Sequence, residues 1–214
     1  MSDRVKVKRH PLVVRIVHWG IAISGIILGL SGLGLGGYYG IRIVSEQIFG
    51  LHLWSGLIFG ALWIFFTYYM LAYEWKWISL GRIPYSIRFL LSETRAWFGG
   101  EHVEDPRGWS IRSKEYIEKI IPTQVMVWWI YLILTILMGF TGLSMYYRFD
   151  SVVSFAASFG PLFGINDGYF ILRAAHTLGM YLFAIVLIMH VYAVAIFRVL
   201  TSMITGSREE KPIE

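Results

Sequence analysis

Four windows of the chain run without a single charged residue: Ile16 to Ile41, Gln47 to Tyr73, Ile120 to Tyr147 and Ala174 to Phe197. Each exceeds the roughly 20 residues that a helix needs to cross the hydrocarbon of a bilayer. Few folds accept such runs, because in lipid every backbone N–H and C=O must be satisfied within the protein, which leaves helices and closed barrels. Continuous apolar stretches of this length are helical. Trp19, Tyr38, Tyr73, Trp75, Trp77, Trp128, Tyr147 and Tyr169 crowd the window ends, where amphipathic rings sit at headgroup level. A hydrophobic share of 56% over 214 residues points the same way. The fold class expected is all-α, an integral membrane four-helix bundle forming a single domain over residues 1–214. Its spans are placed at about 14–37, 48–73, 122–147 and 169–198, with a loop over 74–121 between helices 2 and 3.

Four spans put both termini on one side, and basic residues say which. Sixteen of the nineteen Lys and Arg precede or open the first span, lie in the 74–121 loop, or close the chain from Arg198 onward, while Arg42, Arg148 and Arg173 lie on the other side. This asymmetry predicts that both termini and the long loop are cytoplasmic. The net charge of +5 then reports topology, and nothing requires a nucleic-acid partner. The basic start followed by a long apolar run without an Ala-x-Ala-like site is read as a retained first helix. Without cysteine, disulfides, thiolate-held iron–sulfur clusters and Cys-x-x-Cys-His haem attachment are excluded within the chain. In the loop, Ser86 to Phe98 mixes apolar side chains with Arg88 and Arg95, which suits an interfacial helix or a solvated hairpin. The uncharged outer loop Ser151 to Asn166, broken by Gly160-Pro161 and Gly164, is expected to dock on another surface. No internal repeat stands out.

Four of the six histidines fall within the spans, where ionisable groups are costly and usually functional. A lone membrane histidine also serves as a packing residue or interhelical hydrogen bonder. His176 and His190 are 14 residues apart, nearly four helical turns, so they share a face at a separation of roughly 21 Å. One metal ion cannot bind both. The alternating direction of the spans gives each a partner at its own depth: His18 with His190 on the cytoplasmic side, His52 with His176 on the external side. Two neutral imidazoles per site suit the axial positions of a haem iron and close it to oxygen. The expected metal ligands are therefore His18, His52, His176 and His190, with two b-type haems. Ala22, Gly25, Gly29 and Gly32 follow His18 at helical spacing, Gly56 and Gly60 follow His52, and Gly179 follows His176. These are read as clearance for a porphyrin, although close helix packing uses the same residues. Arg15 and Arg173 lie three residues before His18 and His176, placed either to pair with haem propionates or to anchor the topology. His10 and His102 are expected to be solvated. The competing reading is a membrane transporter or proton relay working through the same histidines. Against it, no acidic residue lies within the four windows and no helix is broken at mid-depth.

The residues resemble the membrane cytochrome b (gamma) subunit of respiratory formate dehydrogenases and the related uptake nickel–iron hydrogenases, over nearly all of the chain. The likeness is carried by Arg15-Ile16-Val17-His18-Trp19, by His52 early in the second helix, by Ala174-Ala175-His176 and Leu187-Ile188-Met189-His190-Val191-Tyr192, and by Met203-Ile204-Thr205-Gly206. What the resemblance implies is electron transfer in the cytoplasmic membrane of a prokaryote. An iron–sulfur subunit and a catalytic subunit on the external face would supply electrons, and a quinone near the cytoplasmic side would accept them. Gln124 matches a family glutamine at the quinone site, while the family's nearby asparagine has no counterpart in Ile120-Ile121-Pro122-Thr123.

Overall fold

The computed structural model describes residues 4–43 and 45–213. In chain order, strand β1 (Val5–Lys8) leads into helix α1 (Leu12–Gly36), and α2 (Glu46–Tyr73) is followed by the short α3 (Trp75–Ile78) and by α4 (Ile83–Trp97). Strands β2 (Gly108–Ser110) and β3 (Glu115–Glu118) precede α5 (Pro122–Tyr147), α6 (Asp150–Ala157) and α7 (Gly168–Ile196). The chain closes with α8 (Leu200–Thr205), β4 (Ser207–Glu210) and β5 (Pro212–Ile213). Helices α1, α2, α5 and α7 are long and apolar enough to cross a membrane, and their most apolar windows are only 17–28% buried within the chain. A helix that is apolar all round and so little covered has its remaining surface suited to lipid. Pro122 opens α5 at a position where its missing N–H leaves no gap. Both α5 and α7 end in a left-handed arginine, Arg148 (φ 50°) and Arg198 (φ 49°), at the place where a glycine usually stops a helix.

The chain divides into two compact units. The first comprises Met1–Ile21, Ile64–Ile130 and Met189–Glu214. The 74–121 loop is folded here rather than open. Strand β1 pairs antiparallel with β4, Val5 opposite Glu210 and Lys8 opposite Ser207, and β2 pairs antiparallel with β3 and parallel with β5. Ser86 to Phe98 belongs largely to α4, so the hairpin alternative falls. Its inward stripe is Ser86, Phe89 and Glu93, and Phe89 packs with Ile121, Ala193 and Phe197. Beside this cluster runs a buried chain of charges in which Arg9 donates to Glu210 at 2.7 Å, Arg208 bridges Glu210 and Asp105 at 3.2 Å each, and Arg107 pairs with Asp105. Arg107 and Arg208 both donate to the Phe197 carbonyl near the end of α7.

His10 departs from the solvated reading. It is half-buried, its Nε2 accepts from Arg9 Nε at 3.2 Å, and its pKa is pushed down to about 3 by burial and then by the nearby Arg9 and Lys119. His102 is exposed, and its ring is held by the buried Glu93 at 2.6 Å.

The second unit comprises Ala22–Trp63 and Tyr131–Ile188, and it holds a repeat that the sequence reading missed. Leu28-Gly29-Leu30-Ser31-Gly32-Leu33 of α1 corresponds to Met138-Gly139-Phe140-Thr141-Gly142-Leu143 of α5. The hydroxyl residue of each is buried. His52 and Phe59 of α2 correspond to His176 and Phe183 of α7, and the two phenylalanines meet at 5.9 Å between ring centres. Tyr131 lies against Phe183 at 5.0 Å. The outer loop is ordered as α6 and a 3-10 turn over Gly160–Leu162, with Ala156 and Gly160 buried and Phe155, Leu162 and Phe163 exposed.

Candidate haem sites

In the second unit, the rings of His52 and His176 approach to 6.3 Å between centres, inclined at 68°. Each ring is held in the same way. Ser31 Oγ lies 2.9 Å from His52 Nδ1, and Thr141 Oγ1 lies 2.9 Å from His176 Nδ1. Gly32 and Gly142 follow these hydroxyl residues, and a Cβ at either would lie 3.3 Å from the Cε1 atom of the adjacent histidine. The glycines let the rings lie close against α1 and α5. None of these four helpers was singled out as a histidine partner from sequence. The hydroxyl-Gly-Leu element shared by α1 and α5 was the available signal.

In the first unit, His18 and His190 approach to 6.2 Å between ring centres, inclined at 46°. The structure thus brings together the four histidines in the two pairs that depth matching gave. Here the surroundings differ. Gln124 Oε1 lies 2.5 Å from His190 Nδ1, whereas His18 Nδ1 is buried without a hydrogen-bond partner among the described residues. Arg15 and Trp19, one turn apart on α1, both donate to α8: Trp19 Nε1 to the Met203 carbonyl at 3.3 Å, and Arg15 to the Ile204 carbonyl. Gly206 follows in a left-handed turn (φ 83°), where its carbonyl accepts from the backbone N–H groups of Arg9 and His10. The sequence elements around Arg15 and around Met203 to Gly206 therefore form one lock.

Gly25 faces Phe59, Gly56 faces Leu28 and Gly179 faces Met138, so each accommodates an apolar side chain from another helix. Arg173 is exposed, with its guanidinium over the Tyr169 ring at 5.4 Å.

The family model of prokaryotic cytochrome b561 matches residues 9–206. The chain belongs to that family. No curated protein matches it significantly. As a cytochrome b561 it is an integral membrane protein of electron transfer, uses haem b and works with redox partners in the membrane.

The residues of this cytochrome b561 fit that cofactor. Among the described residues no group of three or more His, Cys, Asp or Glu converges on a bare-ion site. Each histidine pair brings two imidazoles together, and these would hold a haem iron and supply the two nitrogens it lacks beyond its porphyrin. Two metal–imidazole bonds of about 2.0 Å each, with about 1.1 Å from nitrogen to ring centre on each side, would separate the ring centres by about 6.2 Å. Both pairs stand at that separation.

Proposed function

We propose that this cytochrome b561 is a single membrane domain carrying two b-type haems, one on His52 and His176 and one on His18 and His190. We infer that it moves electrons across the cytoplasmic membrane of a prokaryote. The observation that carries the reading is the spacing of the two ring pairs, 6.3 and 6.2 Å. Haem, when bound, supplies reversible one-electron chemistry with no open coordination site. For His52, His176 and His190 the chain's part is to hold the imidazole in one orientation through its Nδ1 partner, which would leave Nε2 as the ligating nitrogen.

Electrons enter from an iron–sulfur subunit with a catalytic subunit of formate dehydrogenase or hydrogenase type on the external face, and leave to a quinone near the cytoplasmic side. The placement of the termini in the cytoplasm rests on sixteen basic residues against three. The exposed Phe155, Leu162 and Phe163 suit the external docking face. Gln124 is the quinone contact in this reading. Its carbonyl is committed to His190, and its buried Nε2 has no partner among the described residues, so the amide N–H groups are available to donate to a quinone carbonyl.

The test is a dithionite-reduced minus oxidised spectrum with pyridine haemochrome quantification of the purified chain. Two b-type haems per chain are expected. His52→Ala and His176→Ala should each remove one of them, and His18→Ala and His190→Ala the other. Protein made with ample haem that contains none would refute the reading, and loss of the same haem from His18→Ala and His52→Ala would refute the pairing.

A further inference from the structure

We infer that Ser31 and Thr141 are positioning residues that fix the tautomer of His52 and His176 and lower, by equal steps, the reduction potential of the iron held there. The inference rests on the haem reading above. Ser31 Oγ donates its hydrogen to the Ile27 carbonyl at 2.7 Å, and Thr141 Oγ1 donates to the Leu137 carbonyl at 2.7 Å. A hydroxyl hydrogen committed to the backbone leaves the oxygen as an acceptor toward the ring. The Nδ1 atoms of His52 and His176, each 2.9 Å away, must therefore carry the ring protons. Nε2 is then the lone-pair nitrogen of both rings, the one left to hold an iron.

An accepted Nδ1–H bond makes the imidazole a stronger donor to the metal. A stronger donor favours the ferric over the ferrous state, so each hydroxyl lowers the potential. Chains in which the acceptor itself donates polarise one another, and the backbone carbonyl, hydroxyl and ring form such a chain on both sides. The hydroxyl-to-ring and hydroxyl-to-carbonyl distances are the same in the two halves of the repeat, as is the 3.3 Å at which a Cβ on Gly32 or Gly142 would meet the ring. Equal geometry predicts equal contributions. The His18–His190 pair lacks this device: its described Nδ1 bond runs from His190 to the amide of Gln124. The hydroxyls should accordingly govern one haem and leave the other alone.

The experiment is spectroelectrochemical titration of both haems, with low-temperature EPR of the ferric state, in the full haem-loaded chain carrying S31A, T141V, both together, S31T or T141S. S31A and T141V are each expected to raise the potential of the His52–His176 haem by a similar amount. The expected step is threefold to tenfold in the reduction equilibrium, at most about 59 mV for one electron. The double variant should give roughly the combined shift, S31T and T141S should keep the parent value, and the His18–His190 haem should not move. Loss of the His52–His176 haem from T141V but not from T141S also supports the inference, since valine and threonine differ there in the hydroxyl. An unmoved potential in S31A and T141V with both haems bound overturns it. Equal movement of both haems, or S31T and T141S behaving like S31A and T141V, overturns it too. Parent protein without haem would instead overturn the reading on which the inference rests.

Discussion

Replacing Asp105 by asparagine should damage the first unit far more than replacing Arg107 by methionine, although the two residues form one ion pair. Arg107 is 2% exposed, Arg9 7% and Glu210 2%. With Arg208 and Asp105 they make a cluster of three guanidinium groups against two carboxylates. Burial alone would push the Asp105 carboxyl up, but its bonds to Arg107 and Arg208 outweigh this and hold it below the usual carboxylate range. Asp105→Asn removes a negative charge and raises the buried excess from one positive charge to two. At about 4 Å and an effective dielectric of about 20, one unpaired interaction between unit charges amounts to about 4 kcal/mol. Breaking a buried pair from one side typically costs about 3–5 kcal/mol. The Asp105 side chain is 33% exposed, so the lower end, about 3 kcal/mol, is expected after solvent screening. Arg107→Met instead balances the cluster at two against two. It removes Nη1, which is buried without a partner among the described residues, and leaves the Phe197 carbonyl still bonded to Arg208. About 1 kcal/mol or less should be lost. Thermal unfolding in detergent, followed by haem absorbance and scaled at about 2–4 °C per kcal/mol for a chain of this size, should separate the two variants clearly. Raising salt should do little to Asp105→Asn, because buried charges are poorly screened. Arg107→Met proving as harmful as Asp105→Asn would refute the charge-balance argument.

Acid should loosen the first unit through His10. An ordinary histidine pKa of about 6.5 in the unfolded chain against about 3 in the folded one means that the unfolded chain binds the extra proton. Stability is therefore full above about pH 6.5 and falls as pH drops toward 3, by up to about 1.4 kcal/mol per pH unit. His10→Gln should flatten that slope in denaturation midpoints measured against pH, and an unchanged slope would exclude His10 as its source. Gly142→Ala and Gly32→Ala each set a Cβ 3.3 Å from a histidine ring and should weaken haem retention about tenfold, within the range seen when groups orienting a metal ligand are disturbed. Gly50→Ala, whose Cβ meets nothing within 4 Å, should be neutral in the same haem-transfer assay. Trp19→Phe keeps the ring but deletes its bond to the Met203 carbonyl. A cost of about 0.5–1.5 kcal/mol should show as faster proteolysis near α8, and unaltered cleavage would argue against the lock.

The four spanning helices were legible because charge is so costly in lipid that its absence over long windows marks them directly. The proximity of His18 to His190 and of His52 to His176 was legible for a related reason: span direction converts sequence position into depth. What stayed hidden depends on contacts between distant segments. Ser31 and Thr141 are ordinary small hydroxyl residues in a spanning helix, and only the apposition of α1 with His52 and of α5 with His176 shows what they hold. The 74–121 loop reads as polar connection because β2 lacks a partner within its neighbourhood beyond β3. Its parallel partner β5 comes from the far end of the chain. His10 looked solvated because it sits among basic residues, yet its neighbour Arg9 is buried against Glu210 from the far end of the chain, and His10 lies half-buried beside it.

The repeat also explains why it escaped notice. Ser31 and Thr141 stand 110 residues apart, while His52 and His176 stand 124 apart, so no single period aligns the two halves. The correspondence stops at the other histidines. At the same offsets, His18 of α1 matches Trp128 of α5, and His190 of α7 matches Phe66 of α2. Each half of the chain thus has one histidine where its counterpart has an aromatic ring, and Gln124, the acceptor for His190, falls opposite Val14. A pair held symmetrically by two hydroxyls would offer equal ligands to a haem iron under the proposed function. The pair in the first unit presents one imidazole bonded to an amide carbonyl and one with no such partner among the described residues, so under the proposed function its two rings would be unequal ligands. Gln124 is also the residue with spare amide hydrogens for an acceptor. The break in the repeat therefore coincides with Gln124, the residue proposed to meet the quinone, so that the two histidine pairs differ on the side where electrons would leave.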